Sequence, residues 1–181
     1  MSRILRQMWH SSMLTGCLLV ATSCSHPINW YDQAEISRNI AVKYDDIKQV
    51  TSFIGPNCAL EPKEDTVQLR AVKGAGISTY QIYISDRYDT DLIQGTSGWR
   101  LYSQIYDDDG SPLSTTVIAR NPDGCGGAIC SHIETISAEI SREYLEHHKA
   151  SGVTLKVRGK AVESIFFVPS GYIQAFLAKV S

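Results

Sequence analysis

The chain has 181 residues, a formal charge of −2 and an isoelectric point near 6.2, a balance that argues against a nucleic-acid-binding protein, which needs a basic patch. Its length suits one domain with one core. No internal repeat, low-complexity stretch or interior shift of composition divides it.

At the N-terminus Arg3 and Arg6 precede the uncharged, mostly apolar run Met13 to Ala21, and no acidic residue falls among the first 23. A positive start followed by a short apolar run is the layout of an export signal. The run is well short of the about 20 apolar residues that span a bilayer core, and no other segment approaches that length. It leads through the small residues Ala21, Thr22 and Ser23 to Cys24.

This ending resembles the lipobox of bacterial lipoprotein precursors, in which small residues precede a cysteine that becomes the modified first residue of the mature chain. Leu14-Thr15-Gly16-Cys17 fits the same pattern, with the Leu that is usual where Ala21 stands. His10, Ser11 and Ser12 interrupt the apolar segment before it, so Cys24 is the expected lipidation site. The resemblance covers residues 1–24 alone. It implies a diacylglyceryl thioether and an N-acyl chain, which together form a lasting membrane anchor. Because Ser25 rather than Asp follows, it also implies the periplasmic face of the outer membrane. The expected organisation is a signal peptide at 1–23, a lipidated N-terminus and short tether at 24–35, and a single β-rich domain over 36–181. Without residues 1–23 the chain keeps 15 basic and 19 acidic residues, a net charge of −4.

Of the remaining cysteines, Cys125 and Cys130 bracket Gly126, Gly127, Ala128 and Ile129. A short glycine-bearing loop reaches disulfide geometry, and an oxidising compartment favours the bond. A Cys125–Cys130 disulfide with Cys58 free is expected, and pairing of Cys58 with either one stays open.

Strand signals run along the middle of the chain. Val50 to Ile54 is a weak one. Thr66 to Val72 alternates Val67, Leu69 and Ala71 with Thr66, Gln68 and Arg70, and Ile77 to Ser85 follows. Trp99 to Tyr106 places Trp99, Leu101 and Ile105 on one face and Arg100, Tyr102, Gln104 and Tyr106 on the other. Asp107 to Gly110 forms a turn, and Leu113 to Arg120 returns as the second arm of a hairpin. Ile129 to Ile136 is another weak strand. Ser141 caps a helix over Arg142 to Ala150 that Gly152 stops. Val153 to Arg158 and Val162 to Val168 form a hairpin around Gly159-Lys160. After Pro169-Ser170-Gly171, Ile173, Phe176, Leu177 and Val180 fall on one helical face. The fold expected is mainly β or α+β: an antiparallel sheet or β-sandwich, a short helix near 141–150 and a C-terminal helix packed on the sheet.

The chemistry-bearing residues make no specific motif. Cys125, Cys130 and His132, with His147 or His148, miss the usual zinc spacing, and exported thiols oxidise first. Asp86, Asp89 and Asp91, and the run Asp107 to Asp109, lack the loop pattern of a calcium site and suit strand-end turns. No metal or cofactor is expected. There is no nucleophile elbow and no cysteine-protease context; Gly74-Ala75-Gly76 is a turn, and His147-His148 suits a helix C-terminus. The most suggestive set is Tyr83, Arg100, Tyr102, Gln104 and Tyr106, which alternation places on polar strand faces as a surface for protein or sugar contacts. The expected function is a non-catalytic, lipid-anchored binding or assembly module with a protein or glycan partner. The competing reading is an envelope hydrolase of peptidoglycan or peptide, with His132 and a nearby acid or thiol at its centre and Cys58 or Cys125 within hydrogen-bond reach of a histidine.

Overall fold

The computed structural model describes residues 28–58, 65–91, 98–160 and 162–181. The expected signal peptide and Cys24 lie outside the described residues. In chain order the elements are α1 (Gln33–Asn39), β1 (Ala41–Asp45), β2 (Val50–Ile54), β3 (Thr66–Gly74), β4 (Ile77–Asp91), β5 (Gln104–Tyr106), β6 (Ser114–Gly126), β7 (Ile129–Ile140), α2 (Arg142–His148), β8 (Val153–Arg158), β9 (Glu163–Val168) and α3 (Ser170–Val180).

The protein is mainly β. One antiparallel sheet has the order β1-β2-β3-β4-β7-β6 and a second the order β5-β8-β9. Alternation fixes which face of each strand is buried. Val67, Leu69 and Ala71 of β3, Tyr80, Ile82 and Ile84 of β4, and Ile136 and Ala138 of β7 point into the core, where Val153, Leu155 and Val157 of β8 and Phe166 and Val168 of β9 join them. Helix α3 adds Ile173, Phe176, Leu177 and Val180 to the same cluster, as its helical spacing predicts. Tyr172, fully buried, donates its hydroxyl to Pro56 O at 2.7 Å and accepts the Leu69 N–H at 3.0 Å, pinning α3 to the large sheet. The turn at Ala75 and Gly76, with φ of 49° and 79°, has the twist that joins β3 to β4.

The fold begins inside the segment expected to be a tether. Ile28 and Trp30 pack against the core, and the Trp30 ring lies 5.3 Å from that of Tyr172. Asp32 caps α1 by accepting the N–H groups of Ala34 and Glu35 at 2.9 and 3.0 Å. This helix and strand β1 were not expected: α1 buries only Ile36, and β1 is exposed on both faces.

The expected hairpin around Asp107 to Gly110 is half right. Its turn is present and Leu113 N–H bonds Ile105 O at 2.9 Å. Beyond it the arms part, β5 pairing with β8 and β6 with β7. Thr115 is where they divide, because its hydroxyl accepts both the Ile105 N–H and the Gln104 side-chain amide at 3.0 Å. Residues before Gln104 are not strand; Leu101 has a φ of 54°, which breaks the alternation.

Candidate functional site

Two carboxylates on the core-facing side of the large sheet organise the most polar cluster. Asp86 follows Ile82 and Ile84 on the inward parity of β4, and the β4–β7 register sets Glu134 directly opposite it. Their side chains are each 2% exposed. Buried carboxylates persist only where donors surround them, and both have such donors.

Glu134 accepts the backbone N–H groups of Leu101 and Tyr102, each at 2.9 Å, the Arg120 Nε at 3.0 Å, and the Tyr88 hydroxyl. Burial alone would raise its pKa, but these hydrogen bonds outweigh burial and hold the carboxyl below its ordinary value. Arg120 closes the ring by donating to Tyr102 O at 2.8 Å. The non-strand segment before β5 is therefore latched across the sheet by one side chain.

Asp86 accepts Arg100 Nη1 at 2.6 Å and the Tyr102 hydroxyl, which also meets Ser164 of β9. Burial and then the Asp86 hydrogen bond push the Tyr102 phenol up to about 12. The other oxygen of Asp86, Oδ1, is buried and receives no N–H or hydroxyl donor. Asp65, at the mouth of β3, accepts the Arg87 N–H at 3.0 Å and lies near enough to feel the Asp86 charge. Burial, then the charge of Asp86, push Asp65 up to about 6. Asp86 and Tyr102 are closed to solvent, and Arg100, 32% exposed, covers them.

Of the five residues expected to share a surface, the structure brings together Arg100 and Tyr102. Tyr102 is 1% exposed and belongs to the core cluster, so it presents no surface. Tyr83 lies on the opposite face of β4, beneath Arg70 at 3.7 Å. Gln104 spends its amide on Leu113 O at 2.7 Å, and Tyr106 lies under Arg158 at 4.8 Å in the small sheet. The physical reason is that Arg100 and Tyr102 precede β5 and turn inward onto Asp86, while Tyr83 stands on the outward parity of β4 and Gln104 and Tyr106 belong to the small sheet. Asp86 and Glu134 were missed as a pair, although each is a charged residue on the apolar parity of a strand, which was the available signal.

Cys125 and Cys130 form a disulfide, and Cys58 is free and buried. Burial pushes the Cys58 thiol up to about 12, and among the described residues no thiol bonds a histidine. His132, 7% exposed, instead meets Thr90 Oγ1 at 3.0 Å and packs against the Trp99 ring at 4.4 Å. Gly98 lets it fit, since a Cβ there would stand 2.7 Å from His132 Nε2. The acidic set at Asp86, Asp89 and Asp91 is split: Asp86 faces inward while Asp89 accepts the Ser131 hydroxyl. Among the described residues no three His, Cys, Asp or Glu side chains are gathered to hold a metal ion. Asp107 to Asp109, by contrast, meet His147 and His148 across one cavity. Compared with protein-family models, curated proteins and solved structures, the chain matches none of them, and its function is argued from its own residues.

Proposed function

We propose that the chain is a lipid-anchored envelope lipoprotein, on the periplasmic face of the outer membrane, that acts by binding a protein or glycan rather than by catalysis. The observation that carries the binding reading is the outward face of the large sheet. Gln68 and Arg70 of β3, Tyr83 and Ser85 of β4, and Thr135 of β7 stand there on three adjacent strands, all partly exposed. Arg70 covers Tyr83 and donates to Gln68 Oε1 at 2.6 Å, while the Ser85 and Thr135 hydroxyls meet at 3.3 Å. These groups are ordered before any partner arrives, which lowers the entropy cost of binding. Tyrosine, Arg and amide side chains on a flat face are the composition of protein and sugar contacts.

The location rests on the lipobox-like ending at Cys24 and is supported by the Cys125–Cys130 disulfide, which fits an oxidising compartment. Among the described residues no helix is long and apolar enough to cross a membrane. Core packing begins at Ile28. Four residues span at most roughly 14 Å, so an anchor at Cys24 would hold the sheet close to the bilayer.

Intact mass spectrometry of the membrane fraction tests the anchor. The expected species is a triacylated chain beginning at Cys24, lost in Cys24→Ala and kept in Cys17→Ala; lipid retained in the first variant overturns the assignment. A photo-crosslinking residue placed at Tyr83 tests the face. A discrete adduct is expected there and not from Lys160, in the β8–β9 turn; equal labelling from both positions removes the face from the reading.

A further inference from the structure

Two features of the sequence that looked like separate turn and helix-end chemistry line one open cavity of about 640 Å³. One wall is the acidic turn Asp107, Asp108 and Asp109; the other is Ser141, Tyr144, His147 and His148, at the start and on the body of α2. The volume is that of a small-molecule site.

In the acidic wall Asp107 and Asp109 each accept the Ser111 N–H at 2.8 Å, while Asp108 makes no such bond. No described Lys or Arg makes an ion pair with any of the three carboxylates. Lys156 and Arg158 line a separate cavity beside Asp107 and Asp108, but both are paired with Glu163, at 3.7 and 2.8 Å. The facing wall carries unused polar atoms. His148 is 7% exposed, and while its carbonyl accepts the Gly152 N–H at 2.8 Å, its ring makes no hydrogen bond to a described residue. The Tyr144 hydroxyl is buried and also lacks a partner, and burial, then the charges of all three aspartates, push its pKa up. Buried polar groups without partners are uncommon in native structures. The Tyr144 and His148 rings lie 4.5 Å apart, and His147 stands edge-on to His148 at 5.0 Å, so this wall is also an aromatic platform.

We infer that this cavity binds an organic cation, a primary ammonium or guanidinium carried on a short aliphatic chain. The cation donates to the aspartates, and its chain lies on the Tyr144, His147 and His148 rings. A metal ion fits less well, because no three of these ligands are gathered to hold one and the space far exceeds a bare ion. A free polyamine and a basic side chain of a peptide present the same chemistry. The inference does not depend on lipid anchoring or on the outward sheet face.

The test is a titration of the purified full chain at constant ionic strength, with the histidine ring resonances of the NMR spectrum as readout. The probes are cadaverine, lysine blocked at both ends, and equally blocked norleucine as the uncharged isostere. Saturable shifts of His147 and His148 with either cation, and none with norleucine, bear the proposal out, and the tighter of the two names the source. Asp108→Asn, in a side chain that holds no turn hydrogen bond, is expected to weaken binding about tenfold, the loss of one charge-assisted hydrogen bond. No shift with either cation, or an equal shift with norleucine, overturns the proposal. So does zinc binding at these histidines that neither cation displaces.

Discussion

Glu134 and Tyr102 are 32 positions apart, and the Tyr102 N–H donates to Glu134 Oε2 at 2.9 Å. That bond, with its twin from the Leu101 N–H, fixes how the chain passes from the large sheet into the small one. Glu134→Ala removes the acceptor of four donors at once, two of them backbone N–H groups with no other described partner. The expected loss is about 3–4 kcal/mol of folding stability, the range for breaking a buried hydrogen-bonded charge. Glu134→Gln keeps the shape but turns an NH₂ toward donors, and about 2 kcal/mol is expected. Urea denaturation of both variants measures this. Losses below about 0.5 kcal/mol, the scale of an exposed pair, would show that the latch contributes nothing.

How much of this was legible in the sequence depended on how local the signal was. Ser141 capping α2, the β8–β9 hairpin, the apolar face of α3 and the Cys125–Cys130 pairing all rest on residues within a few positions of one another, and each was readable. The outward set failed because Arg100 and Tyr102, which precede β5, turn inward onto Asp86. Glu134 and Asp86 were legible one at a time, each a charged residue on the apolar parity of its strand, but not as a pair. The β4–β7 register sets them side by side, and register is a long-range property. The meeting of Asp107 to Asp109 with His147 and His148 is likewise tertiary, a turn and a helix brought together by the divergence of β5 and β6.

Asp65 gives the fold a pH dependence of defined sign. Its carboxyl is raised from an ordinary 3.8 to about 6 by burial and by Asp86, so between those values the folded chain holds a proton that the unfolded chain has released. The stability it contributes is fully present below the unfolded value and is lost as pH rises through about 6. Asp65→Asn keeps an acceptor for the Arg87 N–H, now 3.0 Å from Asp65 Oδ1, but cannot ionise. Relative to the natural chain, the variant is expected to gain stability from pH 4 to about pH 6 and to keep that gain above it. The effect of Glu134, whose lowered pKa works in the opposite direction, is common to both and cancels. Thermal melts of the two proteins at several pH values check it, and a constant difference across the range would mean that folding does not raise the Asp65 carboxyl.

Tyr172 is the third place where one side chain holds distant backbone together. Its ring is buried against Trp30 and Phe176, and its hydroxyl serves Pro56 O and the Leu69 N–H. Gly55 makes room for it, since a Cβ at that position would overlap the hydroxyl at 2.0 Å. Tyr172→Phe keeps the ring contacts and strands one donor and one acceptor where water does not reach. The cost expected is about 1–3 kcal/mol for the groups left unpaired. Gly55→Ala attacks the same contact from the other side, and because the overlap leaves the ring no place to go, it should cost at least as much. The double variant decides between a shared cause and two separate ones: with the hydroxyl already gone, the alanine has less to collide with, so its cost should be smaller than in the natural chain. Strict additivity in urea denaturation would show that the two residues act independently.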